Sequence, residues 1–212
     1  MELKAKHWED MYARDIGTLP WEIVAPPQEL AAALQRGNIP KGEALDVGCG
    51  TGNYSIYLTT RGFEVTGIDF SENALAVAKN RAHQKGINIK FVLADANNLA
   101  GTLNEKYDFI FDYSLLHHIA DDDVQKYAAQ FPSLLKPNGV LLLICYSEKD
   151  AERDEFAKGA RTARGKYGNM MYYRTREEIE KLYSNLQEID YKEARLGKRL
   201  HHLGHCFLFR KA

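Results

Sequence analysis

The sequence predicts a doubly wound α/β domain in which five parallel strand–helix units are finished by an antiparallel hairpin. Three observations carry this. Short apolar or β-branched runs alternate with helix-like runs between residues 43 and 147. A glycine turn, LDVGCGTGNY (45–54), directly follows the first of those runs. The last two strand-like runs, LQEIDYKEARL and GHCFLFRK, leave no room for a helix between them.

Taken in order, a helix-like run from Pro27 to Gln35 stops at Gly37. The strand candidates are EALDV (43–47), FEVTGI (63–68), IKFVLA (89–94), YDFIFD (107–112) and VLLLIC (140–145). A helix follows the glycine turn, and Ser71 can cap the next one, which runs to Gly86. Asp121 or Asp122 can start another that ends before Pro137. Strict alternation of this kind means a parallel sheet covered on both faces. Thr175 and Glu178 form a capping-box pair for a helix to about Ser184, and the two final strands then pair with each other.

The 212 residues, 45% of them hydrophobic, fit one compact domain. With 28 basic and 29 acidic side chains the net charge is −1, so no overall positive field recruits nucleic acid or anionic lipid. The amino-terminal residues lack a signal-peptide core and VLLLIC is too short to span a bilayer, so a cytoplasmic protein with no membrane partner is expected. Cys49, Cys145 and Cys206 each lie in or beside an apolar run and read as buried free thiols.

The glycine turn narrows the ligand by elimination. A triphosphate loop needs Gly-Lys-Ser/Thr, whereas Gly52 is followed by Asn53 and Tyr54. A dinucleotide fingerprint needs a third glycine where Asn53 stands. What remains is Asp46-x-Gly48-x-Gly50-x-Gly52 around Cys49, a bare loop without a cation, suited to an uncharged or zwitterionic group against the main chain. Asp69 closes the second strand 21 residues after Gly48, where a carboxylate can accept from both hydroxyls of a ribose; the plainer alternative is that it caps the following helix. Phe70 can lie against an adenine face. Asp95 can accept from the adenine amine while the Ala96 amide donates to a ring nitrogen, unless Asp95 is an ordinary turn aspartate.

These motifs resemble those of the class I S-adenosylmethionine-dependent methyltransferases, in order and spacing, from Gly42 to Arg210: LDVGCGTGNY, VTGIDFSENAL, LADANNL, FDYSLLHHI and LLKPNGVLLLICY. The resemblance implies a Rossmann-like sheet of seven strands with the last inserted antiparallel, and S-adenosyl-L-methionine lying over the carboxyl ends of the first four. It places Gly48 and Gly50 against the methionine portion, Asp69 on the ribose, Asp95 and Ala96 on the adenine, and Tyr113 toward the sulfonium; Asp46 would order the loop. Trp8, Pro20-Trp21 and Pro26-Pro27 look like the cofactor cover of the small-molecule branch that includes thiopurine, thiol or halide, and tellurite-resistance methyltransferases, which adds Trp21 to the cofactor contacts. The parts would be a cover (1–40), a cofactor core (41–146), a lid-like segment (147–174) and a terminal helix and hairpin (175–212).

An activated sulfonium asks mainly for alignment and exclusion of water, with a general base only where the acceptor must lose a proton. His117 and His118 are the candidates for that base, the alternative being that they wall the cofactor site. The motifs of base methylation are absent: Asp112-Tyr113-Ser114-Leu115 stands where Asn/Asp-Pro-Pro-aromatic would, and no cysteine follows a proline. The acids 121–123 read as a helix start, and His201, His202 and His205 as part of the final hairpin, so no metal is expected. Lys158 to Arg176 holds six basic residues and no acid. It can be an anion-steering lid, a solvated loop or a nucleic-acid patch. The preferred expectation is a small-molecule acceptor, such as a thiol or other soft nucleophile; the alternative is an RNA or protein methyltransferase that uses residues 158–176.

Overall fold

The computed structural model describes residues 2–150, 162–165, 168–196 and 202–212. Helix α1 (Glu2–Tyr12), a 3-10 turn (Ile16–Thr18) and helix α2 (Gln28–Gln35) lead into strand β1 (Glu43–Val47). Then follow α3 (Asn53–Thr60), β2 (Glu64–Asp69), α4 (Glu72–Gln84), β3 (Lys90–Leu93), the short α5 (Leu99–Thr102) and β4 (Tyr107–Tyr113). Helices α6 (Asp121–Ala128) and α7 (Phe131–Leu134) precede β5 (Leu135–Tyr146). A pair of short strands, β6 (Thr162–Arg164) and β7 (Met170–Tyr172), stands before α8 (Arg176–Leu182), β8 (Gln187–Leu196) and β9 (His202–Arg210).

The main sheet has seven strands in the order β3-β2-β1-β4-β5-β9-β8, and β9 runs antiparallel to both neighbours. The chain steps outward from β1 to β3 and then returns to β4 on the other side of β1. The carboxyl ends of β1 and β4 therefore flank the crevice where a doubly wound sheet binds its ligand. Alternation along the strands divides the core between the two faces. Leu141, Leu143 and Cys145 of β5 join Phe207, Phe209, Leu99, Tyr127, Phe131 and Ile179 on one face. Val140, Leu142 and Ile144 join Phe109, Phe111, Leu30, Leu58 and Leu208 on the other.

Local chemistry explains most boundaries. The Ser71 hydroxyl accepts from the Ala74 N–H and starts α4. Thr175 and Glu178 form both bonds of the capping box at α8. The helix expected from Asp121 to Pro137 is instead two, because Pro132, lacking an N–H, sits in the first turn of a new helix. No described helix is long and apolar enough to cross a membrane.

Candidate active site

At the end of β1 the chain passes through Gly48 (φ 70°) and Gly50 (φ 52°), both left-handed. A Cβ at Gly48 would begin 3.0 Å from Leu115 Cδ2, and one at Gly50 would lie 2.8 Å from the Tyr12 hydroxyl. The loop is thus pressed between the turn after β4 and helix α1. Gly52 is the N-cap of α3. The Cys49 N–H donates to the Ile68 carbonyl at 2.8 Å, tying the loop to β2. Burial, with Asp46 and Asp69 nearby, pushes the Cys49 thiol up, so it is an inert side chain in a backbone-lined loop.

Asp69 is buried at the end of β2, with Oδ2 accepting from the Gly50 N–H at 2.8 Å and Oδ1 from the Ser71 N–H at 3.0 Å. It therefore anchors the turn into α4 and also reaches the glycine loop, while the helix cap proper belongs to Ser71. Asp46, one strand over, accepts from the Ser55 hydroxyl at 2.6 Å. Asp112 at the end of β4 accepts from Tyr127 at 2.7 Å and from the Leu115 N–H at 3.1 Å. Burial raises all three carboxyls, Asp46 to about 7 and Asp112 to about 6, and the carboxylates add mutual repulsion at Asp46. Three acids on adjacent strand ends make a site that favours a positively charged ligand.

Phe70 follows Asp69, half-buried. Asp95 heads the 3-10 turn Ala96–Asn98 by accepting from the Asn97 N–H at 2.9 Å, so it is a turn aspartate at the rim of the same edge. Buried Ala96 is fixed through its carbonyl, which accepts from Gln130 Nε2 at 3.1 Å. Tyr113 lies edge-on to Tyr54, centroids 5.2 Å apart, beside Ser114, a non-glycine residue at φ 66°.

The amino-terminal segment covers this edge. Glu9 of α1 accepts from the Ser71 hydroxyl and, at 3.1 Å, from the Asn73 N–H, so α1 is clamped to the start of α4. Glu22 accepts from Thr51 at 2.8 Å and Asn53 at 2.6 Å and pairs with Arg81 at 2.6 Å. Between these clamps Trp8 packs edge-on to Trp21 (5.2 Å) and to His118 (4.9 Å). Glu9, Tyr12, Glu22 and Arg81 were not legible from spacing; the faint signal was a lone acid next to Trp21 in a proline-bounded stretch.

The two histidines differ. His117 is buried, stacks on Tyr146 at 4.4 Å and 10°, and accepts the Tyr146 N–H on Nδ1 at 3.3 Å. Burial, helped by the neighbouring His118, holds its pKa well down. His118 donates from Nδ1 to the Met170 carbonyl at 3.2 Å, since a carbonyl can only accept, and its basic nitrogen is Nε2. Protein packed around it pushes its pKa to about 4. The cover and strand β7 thus meet at His118.

The described arginines near the end of the basic segment differ in their surroundings. Arg174 is 2% exposed and donates to the Leu116 and Ile119 carbonyls at 3.1 and 2.8 Å and to Asp121 at 2.9 Å. Arg176 pairs with Glu180 at 2.5 Å and Glu188 at 3.0 Å. Arg174 is thereby used within the fold, whereas Arg176, its side chain 42% exposed, stays at the surface as an ion-paired cation. Lys158, Arg161 and Lys166 lie outside the described residues, as does His201. His202 and His205 lie within β9, bonded to Asp150 and Glu148. Among the described residues no three His, Cys, Asp or Glu side chains are grouped to hold a metal ion.

Comparison with known proteins points to one family. A family model described as a methyltransferase domain matches residues 44–139. A putative methyltransferase of a Geobacillus species is 37% identical over 49% of this chain and 42% of its own length. A probable thiol methyltransferase of Arabidopsis thaliana is 27% identical over 66% of this chain and 61% of its own. The chain thus spans less than two-thirds of either relative. A solved structure titled for the conversion of a disulfide bond into a thioacetal group in echinomycin biosynthesis has the same fold: TM-score 0.80, 24% identity, 98% of this chain and 92% of that one.

Proposed function

Starting from a chain that carries a class I S-adenosylmethionine-dependent methyltransferase domain, we propose that it moves the methyl group of S-adenosylmethionine to a small-molecule acceptor, a thiol or comparable soft nucleophile. The observation that carries the reading is Asp69. It is a buried carboxylate oriented by two main-chain donors, one in the glycine loop, with acceptor capacity left for two adjacent hydroxyls.

The residues fit the cofactor by their chemistry. Gly48 and Gly50 present bare main chain to the methionine portion, Asp69 takes the ribose, and Phe70, Asp95 and Ala96 take the adenine. Tyr113 and Trp21 enclose the methyl end, and the acids Asp46, Asp69 and Asp112 favour a cation over a neutral ligand. When bound, the cofactor supplies a methyl group already activated on sulfur. The chain's part is to align and to exclude water, which the clamped aromatic cover does. His118, held near pKa 4, is a weak base that remains neutral at physiological pH. That suits an acceptor whose proton leaves easily better than an alcohol. The relation to a thiol methyltransferase supports the same class. With Arg174 buried and bonded within the fold, a nucleic-acid track through residues 158–176 loses one of its cations.

Calorimetric titration with S-adenosylmethionine and its demethylated product, followed by a panel of thiols, halides, phenols, carboxylates and bulk tRNA, tests the reading. Binding of both cofactor forms and product from thiols is expected. No heat from either form, or transfer to tRNA alone, would overturn it.

A further inference from the structure

We propose that Tyr12 of the cover is a binding residue for the cofactor, its phenol hydroxyl donating a hydrogen bond to the carboxylate at the methionine end. The inference rests on the reading above and gives a partner to the part of the cofactor that the acids of the site repel.

The cover brings Tyr12 onto the glycine loop. Tyr12 is the last residue of α1, one turn after Trp8, and Glu9 clamps that helix to Ser71 and Asn73 at the start of α4. Trp8 thus meets His118 while Tyr12 comes down on Gly50: its hydroxyl lies 2.8 Å, and its Cζ 3.6 Å, from where a Cβ on Gly50 would stand. Trp8 and Trp21 flank the half-buried ring, each with its centroid at 6.4 Å. Asp69 is close enough to repel a negative charge on the phenol. The hydroxyl therefore stands where the cover, the glycine loop and the end of β2 converge.

The chemistry of the loop asks for such a donor. The methionine end of S-adenosylmethionine carries an ammonium and a carboxylate on one carbon. Asp46 and Asp69 suit the first and repel the second, so the carboxylate depends on hydrogen-bond donors. Much of what the loop could give is already used. The Cys49 N–H donates to the Ile68 carbonyl at 2.8 Å, the Gly50 N–H to Asp69 at 2.8 Å and the Gly52 N–H to the Cys49 carbonyl at 2.9 Å. The Thr51 hydroxyl donates to Glu22, and Arg81, which reaches the loop at Thr51 and Asn53, has its charge countered by the same Glu22.

Tyr12 supplies what is missing. Burial, with Asp69 nearby, holds its phenol well above the ordinary range, so the group stays protonated and remains a donor at physiological pH. The Trp21 indole beside it can only donate, which leaves the phenol proton for a ligand. A lysine in this place would pair with Asp69 and compete with the ribose for it. A neutral donor serves the carboxylate and leaves Asp69 to the hydroxyls.

The test is a cycle between one side chain and one ligand group. Calorimetry compares the full-length wild type and Tyr12→Phe with S-adenosylmethionine and with its decarboxylated form, which keeps the sulfonium, amine, ribose and adenine. The variant should raise Kd for S-adenosylmethionine by about 10- to 100-fold, the range for a lost hydrogen bond to a charged group, and leave Kd for the decarboxylated form unchanged. Tyr12→Phe keeps the ring between Trp8 and Trp21, and a general loosening of the cover would weaken both ligands alike. Equal losses with the two ligands, or no loss with S-adenosylmethionine, overturn the proposal and leave the preceding reading standing. A wild type that binds neither S-adenosylmethionine nor its demethylated product overturns that reading, and this one with it.

Discussion

Asp69 separates a structural from a ligand-binding role when it is replaced in two ways. In Asp69→Ala the Gly50 and Ser71 N–H groups, now 2.8 and 3.0 Å from its oxygens, lose their acceptor within a buried turn. At about 1.5 kcal/mol or more for each charge-assisted bond, unfolding free energy should drop by roughly 3 kcal/mol. In Asp69→Asn one carbonyl oxygen still serves one of them. Removal of a carboxylate whose pKa is raised by burial offsets part of the remaining loss, so stability should change by no more than about 1 kcal/mol. The cofactor senses the difference: a ribose that meets an amide in place of a carboxylate loses about 1.5 to 3 kcal/mol, roughly a tenfold to hundredfold rise in Kd. Urea unfolding gives the first quantity and calorimetry the second. If Asp69→Asn binds S-adenosylmethionine as tightly as the wild type, the carboxylate is a turn anchor and the ribose assignment is refuted.

Asp46, raised to about 7 against about 3.9 in an unfolded chain, contributes stability that is complete below pH 4 and is lost as pH rises through 7. Unfolding free energy of the ligand-free protein should fall between pH 4 and pH 7, and Asp46→Asn should flatten that fall; parallel curves for the two proteins would reject it. His118 acts in the opposite sense, its contribution being present above pH 6.5 and lost toward pH 4, so the two proteins must be compared point by point. Arg174→Met should cost roughly 3 kcal/mol in urea unfolding, two buried charged hydrogen bonds at about 1.5 kcal/mol each, and should do so whatever the charge of the acceptor. A variant that is fully stable yet slow only with anionic acceptors would restore the steering role.

The strand–helix alternation and the glycine loop were readable because period-two apolar runs and left-handed turns leave local marks in sequence. EALDV (43–47) became β1 with those bounds, and Thr175 with Glu178 closed their capping box. What stayed hidden was contact between distant segments. Nothing in local spacing tells that Glu9 reaches Ser71 and Asn73, or that Glu22 reaches Arg81. Charge partners stayed hidden for the same reason: charge is visible in sequence but what it pairs with is not, and Arg174 found two carbonyls after β4 while Arg176 found acids on α8 and β8. The short β6–β7 pair was also unforeseen, because three-residue strands carry too little pattern to stand out.

The order in which the sheet is laid down has a consequence for how the chain folds. Strand β5, with its apolar run from Val140 to Cys145, has β4 on one side and must wait for β9, more than fifty residues later, on the other. Until residues 202–210 arrive, its outer edge offers unpaired main-chain groups beside Leu141, Leu142 and Leu143, the kind of edge that recruits foreign strands. Strand β8 is made first yet cannot shield that edge, since it reaches the sheet only through β9. Closure of the domain is thus a single late event of high contact order, and sequence changes in β9 should show themselves as aggregation during synthesis before they appear as lowered stability of the finished fold.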